Sequence, residues 1–129
     1  ERLKKKFNTA RQYVPKPVTQ NMAGAKIGLI YFGSTEPAVE EARVQMAKEG
    51  LLSDSLRLRA IPFTAEVRSF IQSHERCYIV EMNRDGQMHQ LLTLEYPELA
   101  LKLKSIAYTD GLPMTAKLVR EAVHAQEAK

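Results

Sequence analysis

The side chains best suited to chemistry lie in three short segments, each near the end of a predicted strand. Residues 33–35 read GST, residues 59–63 begin with Arg59, two positions after Arg57 of the preceding strand, and residues 83–87 read NRDGQ. Hydroxyls, guanidinium groups and helix amino-termini are groups that bind phosphates and other anions. Because open α/β sheets bind ligands outside the carboxyl ends of their strands, we expect an anion-binding or partner-facing edge there. Its candidate residues are Gly33, Ser34, Thr35, Arg57, Arg59, Asn83, Arg84, Asp85, Gly86 and Gln87.

Each of these residues also has an ordinary structural explanation. Ser34, Thr35 and Asp85 are of the types that cap helices, and Gly33 and Gly86 suit tight turns. The two arginines would equally suit a solvated strand face. Only the concentration of these polar groups at one edge of the sheet favours a functional interpretation.

Motifs for self-contained catalysis are absent from the sequence, and we assign no catalytic residue. The segment after the first strand, YFGSTEP, has no G-x-G-x-x-G, and neither a P-loop nor a G-x-S-x-G elbow occurs. The single cysteine, Cys77, cannot hold an iron–sulfur cluster, and its position in a strand favours a buried apolar role. His74, His89 and His124 lack metal-ligand spacing, so we expect no metal site.

Two other titratable residues have predicted structural roles. Glu81 follows an apolar run, and we expect it to form an ion pair with Arg76 or Arg84. His74 lies near a predicted helix end, where it would interact with the helix dipole or lie at the surface.

Apolar runs alternate with segments of helical periodicity along the chain. Strands are predicted over residues 25–32, 53–61, 77–82 and 105–108. Helices are predicted over 35–48 and 64–73, and after Asp85 and Thr115, and their predicted caps are Ser34 or Thr35, Thr64, Asp85 and Thr115. Repeated β–α units with short loops predict a three-layer α/β/α fold with a mostly parallel sheet. Residues 15–24 can add a short edge strand.

The amino-terminal segment is predicted to be a linker. Residues 2–14 have the spacing of an amphipathic helix, and Pro15 and Pro17 then favour extended chain. We therefore divide the chain into a linker over residues 1–24, arriving from a preceding domain, and an α/β domain over residues 25–129. The start at Glu1 rather than at methionine favours a segment of a longer protein.

Composition is that of an ordinary globular domain. The 129 residues are 44% hydrophobic and 26% charged, and no apolar run is long enough to span a membrane. A net charge of +4 permits an anionic partner, but the basic residues are spread along the chain. We expect a cytoplasmic protein with neither a nucleic-acid nor a membrane partner.

Four segments together resemble one enzyme family. They are YFGSTEPAVEEA, LRLRAIPFTAEVRSFI, CYIVEMNRDGQMHQLL and YTDGLPMTAKLV. In order and spacing they resemble the carboxy-terminal part of the alpha subunit of 2-oxoacid:ferredoxin oxidoreductases, particularly the 2-oxoglutarate-type enzymes. The leading KFNTARQYVPKP resembles the segment that joins this domain to the preceding one.

The resemblance implies a fold like the transketolase carboxy-terminal domain and a place in an oxidoreductase. These enzymes convert a 2-oxoacid, coenzyme A and oxidised ferredoxin to an acyl-CoA, carbon dioxide and reduced ferredoxin. Thiamine diphosphate with Mg²⁺ and the iron–sulfur cluster would belong to the preceding alpha-subunit domains and the beta subunit. This chain would bind no cofactor by itself, would be inactive alone, and would help form the coenzyme A side of the site.

The resemblance also implies site residues. The 83–87 segment matches the family's N-x-D-G-Q stretch, Arg57 and Arg59 match its L-R-x-R stretch, and Gly33-Ser34 matches its G-S loop. These residues would face coenzyme A or the thiamine domains.

Two alternatives remain open. The first is a domain of a transketolase or of a 2-oxoacid dehydrogenase beta-type subunit, which would share the architecture. The second is a free-standing module that binds an anion or a partner. The apolar stripe of residues 2–14 needs a partner surface and argues against the free-standing module.

Overall fold

The computed structural model describes Lys6 and residues 14–109 and 111–129. The predicted linker helix over residues 2–14 and Asp110 of the predicted turn therefore lie almost wholly outside the described residues. The strands are β1 Val18–Gln20, β2 Ile27–Phe32, β3 Ser53–Leu58, β4 Arg76–Glu81 and β5 Leu103–Ala107. The helices are α1 Glu36–Lys48, α2 Ala65–Gln72, α3 Gln87–Glu95 and α4 Ala116–Glu127, with 3-10 turns at Gly33–Thr35 and Pro97–Lys102. None of the helices in the described ranges has the length and apolar character of a membrane span.

The five strands form one sheet in the order β1-β3-β2-β4-β5. The β3–β2, β2–β4 and β4–β5 pairs are parallel, and only β1 runs antiparallel to its neighbour β3. The predicted edge strand within residues 15–24 is thus confirmed, as is the mostly parallel sheet.

Helices cover both faces of the sheet, because alternate residues of its central strands are apolar on each side. On one face, α1 and α4 pack on Leu29 and Tyr31 of β2 and on Val80 of β4. On the other face, α2 and α3 pack on Ile30 of β2 and Ile79 of β4. The predicted three-layer α/β/α architecture is therefore confirmed.

Gly28 lets α2 approach the sheet closely. A Cβ built on Gly28 would lie 2.5 Å from Cε1 and 2.7 Å from Cζ of the Phe70 ring, and 3.3 Å from Sγ of Cys77. Only a residue without a side chain fits this contact. Cys77 itself is fully buried, and burial raises the pKa of its thiol to about 12, so its predicted role as a small apolar residue is confirmed.

A buried arginine that the apolar pattern did not indicate connects α1 to two strands. Arg43 is only 3% exposed, and its guanidinium donates to Ser53 O of β3 at 2.6 Å and to Gln20 O of β1 at 3.2 Å. Its Nη1 also bonds to Glu40 Oε1 at 2.5 Å and to Ser55 Oγ at 3.2 Å. These bonds satisfy the buried charge and hold β1 against the sheet.

Several predicted boundaries and caps are wrong in detail. The second predicted strand extends to Ile61, but β3 ends at Leu58, whose partner Phe32 is the last residue of β2, so the parallel pairing of these two strands stops there. Thr115 caps α4 as predicted, its hydroxyl accepting from Leu118 N at 3.2 Å. Thr35 and Thr64 occupy N-cap positions, but neither hydroxyl makes a capping bond.

The outer side of β5 is covered by two side chains. Tyr108 N donates to Glu81 O of β4 at 3.1 Å. Because main-chain N–H and C=O groups of alternate residues face the same side of a strand, the carbonyls of Leu103 and Ser105 face away from β4. The Nε2 atom of His89 lies 3.1 Å from Leu103 O, and Nε2 of Gln126 donates to Ser105 O at 3.0 Å. His89 belongs to α3 and Gln126 to α4, so the two reach β5 from opposite faces of the sheet.

Candidate functional site

The carboxyl ends of β2 and β4 lie side by side in the sheet. From β2 the chain first adds β3 on one side, and it then crosses over to add β4 on the other side, so the order of the strands reverses between β2 and β4. Tyr31 pairs with Val80, so the loops that begin at Gly33 and Met82 leave neighbouring strand ends. The helix after β2 packs on one face and the helix after β4 on the other. This divergence opens a crevice, the usual ligand position in open α/β sheets. We call residues 33–35, 57–63 and 83–87 the switch-point edge.

Glu81, the last residue of β4, organises one side of this edge. Its carboxylate is fully buried. Oε1 accepts from Met88 N at 2.8 Å and from Asn83 Nδ2 at 2.7 Å, and Oε2 accepts from His89 N at 3.1 Å. The positive end of the α3 dipole therefore meets a buried negative charge supplied by the strand below it.

The prediction of an ion pair between Glu81 and Arg76 or Arg84 is therefore wrong. Arg76 instead forms a bidentate pair with Glu127 of α4, with both N–O distances 2.8 Å. Arg84 lies in an exposed turn. The first amides of α3 are closer to the buried carboxylate and need an acceptor, because no intrahelical partner exists for them.

The prediction that Asp85 caps α3 is also wrong. Gly86, with φ of 61°, occupies the N-cap position, and Asn83 Oδ1 accepts from Gln87 N at 3.2 Å. Glycine suits the left-handed backbone at this position, and a Cβ on Gly86 would lie in a tight contact 3.1 Å from Ser105 Oγ of β5. With Gln87, Met88 and His89 amides occupied, this helix end is closed to an outside anion.

The two arginines of β3 and its loop are also engaged. Arg57 extends to the α1 face, where Nη1 lies 2.7 Å from Glu36 Oε2 in a half-exposed ion pair. Arg59 Nη1 donates to Lys16 O at 3.3 Å and so holds the segment that leads into β1. Arg57 and Arg59 therefore each have a partner within the chain, and this makes them less available to bind a ligand.

Four exposed side chains of the switch-point edge have no such partner among the described residues. They belong to Ser34, Arg84, Asp85 and Gln87, and they make no hydrogen bond or ion pair within the described chain. Ser34 follows Gly33, whose φ of 65° turns the chain from β2 into α1, and Thr35 is buried beneath it. Arg84 is therefore the one cation of the predicted set that is available to an incoming anion.

Other titratable groups lie at the opposite, amino-terminal end of the strands. His74 is buried, with Nδ1 2.6 Å from Phe70 O of α2 and Nε2 2.7 Å from Asp54 Oδ2. The predicted contact with the helix end is confirmed, but the residue does not lie at the surface. Within residues 14–109 and 111–129, no three His, Cys, Asp or Glu side chains are grouped to hold a metal ion.

Solved enzyme structures share this fold, among them the following three. A 2-oxoglutarate:ferredoxin oxidoreductase from Magnetococcus marinus, solved with 2-oxoglutarate, coenzyme A and succinyl-CoA bound, superposes with a TM-score of 0.75 at 23% identity, covering 92% of this chain and 21% of that chain. The alpha chain of a probable 2-oxoacid ferredoxin oxidoreductase from Thermoplasma acidophilum matches with a TM-score of 0.57 at 25% identity, covering 88% and 98%. The fold resemblance expected from the sequence is confirmed. A split-gene transketolase, an inactive beta4 tetramer, matches with a TM-score of 0.68 at 15% identity, covering 84% and 40%.

These similarities concern structure rather than sequence. No protein-family model matches the chain, and no curated protein matches it either. The chain spans about a fifth of the length of the Magnetococcus enzyme chain, so it corresponds to one domain of that larger protein.

Proposed function

We propose that this chain is the carboxy-terminal domain of the alpha subunit of a thiamine-dependent 2-oxoacid:ferredoxin oxidoreductase. The observation that supports it most directly is the fold match over 92% of the chain to an enzyme of that reaction. The similarly sized Thermoplasma alpha chain supports the subunit assignment. The proposal places the chain in the cytoplasm, with residues 1–24 as the linker from the preceding domain and residues 25–129 as the α/β domain.

In this proposal the domain carries no catalytic residue. Thiamine diphosphate with Mg²⁺, held elsewhere in the holoenzyme, would stabilise the carbanion left by decarboxylation, and an iron–sulfur cluster would pass the electrons to ferredoxin. The domain would pack on the thiamine domains and form the coenzyme A side of the site. Its own contribution would be to bind and orient the phosphates of coenzyme A.

Arg84 is the residue on which this role chiefly depends. Its guanidinium is exposed at the crevice and has no partner among the described residues, so it can form a bidentate pair with a phosphate. Ser34 and Gln87, both exposed at the same edge, can add neutral hydrogen bonds. Arg57, Arg59 and Asn83 would instead support the edge through the bonds described above.

The test is the steady-state kinetics of the holoenzyme with Arg84→Ala. We expect the KM for coenzyme A to rise about tenfold, the loss of one charge-assisted contact, with the KM for the 2-oxoacid unchanged. Because the exposed Arg84 side chain makes no hydrogen bond or ion pair with a described residue, its loss should leave the melting temperature of the domain nearly unaltered. Arg120→Ala, which removes an arginine of α4 paired with Glu49, is the matched control and should leave both KM values unchanged.

Asn83→Ala and Arg59→Ala are informative only alongside that variant. Asn83 bonds to both Glu81 and Gln87 N, and Arg59 holds Lys16 O, so either substitution perturbs the local structure. If Arg84→Ala leaves the coenzyme A KM unchanged but weakens association with the beta subunit on gel filtration, the edge faces the thiamine domains instead. Unchanged kinetics together with unchanged association would refute both roles.

The match to the split-gene transketolase supports a second candidate function. A domain of a transketolase or of a 2-oxoacid dehydrogenase beta-type subunit would have the same architecture. The two are separated by assaying the complete protein for coenzyme A-dependent ferredoxin reduction by a 2-oxoacid and for ketol transfer between sugar phosphates. Ketol transfer without ferredoxin reduction would favour the transketolase assignment.

A further inference from the structure

A second concave surface lies at the amino-terminus of α2. It is a groove of about 770 Å³ whose walls include Lys16, Phe63, Thr64, Glu66, Arg68 and Tyr96. It is separate from Ser34 and Arg84, and the coenzyme A role proposed above does not account for it. We call it the α2 groove.

Two buried polar atoms of residues that line the α2 groove have no hydrogen-bond partner within the part of the chain that the structure describes. They are Thr64 Oγ1 and Glu66 Oε2. Thr64 is only 7% exposed and occupies the N-cap position of α2, yet its hydroxyl does not cap the helix. A buried polar atom without a partner costs about 1–3 kcal/mol, and more when it is charged. Thr64 and Glu66 are two residues apart, so a single bonding group from outside the described chain could satisfy both atoms.

The cations of the α2 groove do not bond to the Glu66 oxygen. Arg68 Nη2 lies 2.5 Å from Glu98 Oε1, and its guanidinium lies 5.7 Å from the centre of the Tyr96 ring. Arg68 is therefore occupied on the outer side of the groove. What Glu66 Oε2 requires is a hydrogen-bond donor, preferably a cationic one.

We propose that the α2 groove binds an arginine side chain presented by a partner protein. An ionised carboxylate only accepts hydrogen bonds, and a threonine hydroxyl can accept as well as donate. A guanidinium offers several donors in one plane and can bond to Glu66 Oε2 and Thr64 Oγ1 together. The rings of Phe63 and Tyr96 lie beside this position, with their centres 6.2 Å apart and their planes inclined by 35°.

Other occupants fit the α2 groove less well. An anion would meet the carboxylate of Glu66, which faces like charge unfavourably. A purely apolar segment would leave both buried polar atoms unpaired. A lysine could bond to Glu66, but its ammonium is compact and strongly hydrated and matches two separate acceptors less well than a planar guanidinium does.

The test is an NMR titration of the ¹⁵N-labelled 129-residue chain with capped arginine, Nα-acetyl-arginine methylamide. Capped citrulline, which has the same shape without the charge, is the matched ligand control. We expect capped arginine to shift the amide resonances of Ala65 and Glu66 saturably. Capped citrulline should bind about tenfold more weakly, because one charge-assisted hydrogen bond is lost.

Variants identify the groups responsible. Glu66→Gln keeps the shape of the side chain and should weaken capped-arginine binding about tenfold, and Thr64→Val should weaken it less, because a neutral contact is lost. Glu121→Gln, an exposed carboxylate on α4, should bind like the wild type. Equal binding of arginine and citrulline, or unchanged binding by Glu66→Gln, would overturn the proposal. So would inorganic phosphate producing the same saturable shifts, since the groove would then be an anion site. None of these outcomes bears on the kinetics of Arg84→Ala.

Discussion

Replacing Glu81 by glutamine removes a charge from the fully buried end of β4 while keeping the size of the side chain. In the wild type, Oε1 accepts from Met88 N and Asn83 Nδ2, and Oε2 accepts from His89 N. The amide of glutamine must place an NH₂ group where one of these oxygens lies. Whichever orientation it adopts, at least one main-chain amide of α3 then faces a donor instead of an acceptor.

The expected cost follows from these contacts. One unsatisfied buried amide costs about 1–3 kcal/mol, and loss of the buried charge at a helix amino-terminus costs about 1 kcal/mol more. Removal of a buried carboxylate recovers part of its desolvation energy, which limits the total. We expect Glu81→Gln to lower the free energy of unfolding by about 3 kcal/mol, which corresponds to a fall in melting temperature of about 10 °C.

The assay is urea unfolding followed by far-UV circular dichroism, with amide hydrogen exchange of Met88 and His89 read by NMR. Exchange at these two positions, in the first turn of α3, should accelerate more than elsewhere in the domain. Glu121→Gln on α4 is the control and should change the free energy of unfolding by less than about 0.5 kcal/mol. A change below about 1 kcal/mol for Glu81→Gln, or no local acceleration of exchange, would show that the carboxylate does not hold this helix end.

Two further predictions concern the core and the acid limb of stability. Gly28→Ala should destabilise the chain by about 2 kcal/mol, because its Cβ would lie 2.5 Å from the Phe70 ring. Thermal melts should show a clearly smaller cost in a Phe70→Leu background, and equal costs would rule out this contact as the cause. The Arg76 guanidinium, and after it the Tyr78 hydroxyl, hold the pKa of the Glu127 carboxyl below its ordinary value of 4.5. The stability that this carboxylate contributes is therefore fully present above pH 4.5. It is lost as the pH falls through the lowered pKa of the folded state. Urea midpoints should therefore decline less steeply between about pH 5 and pH 2 in Glu127→Gln than in the wild type, and identical slopes would contradict the assignment.

Much of the fold follows from local patterns in the sequence. The apolar runs at Ile27–Phe32 and Arg76–Glu81 are strands, and the helices lie within a few residues of their predicted ranges. Even the short edge strand, Val18–Gln20, occurs where two prolines enforce extended chain before it. These features depend on periodicity and backbone restriction, which neighbouring residues determine.

The contacts that shape the candidate site could not be predicted in the same way. Helix caps are predicted from the residue next to the helix. The acceptor for the first amides of α3 is instead Glu81, which precedes Met88 by seven residues and His89 by eight. Because arginine is charged, the sequence alone predicts that Arg43 of α1 is exposed to solvent. In the structure it is buried, and Ser53 O and Gln20 O accept hydrogen bonds from its guanidinium. The unpaired atoms of Thr64 and Glu66 likewise appear only once the surrounding side chains are in place. Each depends on partners brought together by the tertiary fold.

The side chains over β5 also affect how the protein behaves at high concentration. An outer strand with open main-chain groups is a template on which further strands, from other copies, can add to form aggregates. Here His89 and Gln126 already occupy the outward carbonyls of Leu103 and Ser105. At the other margin, β1 has only three residues, too few to seed a stable ladder. The occupied carbonyls of β5 and the shortness of β1 therefore disfavour the addition of further strands at the two margins of the sheet.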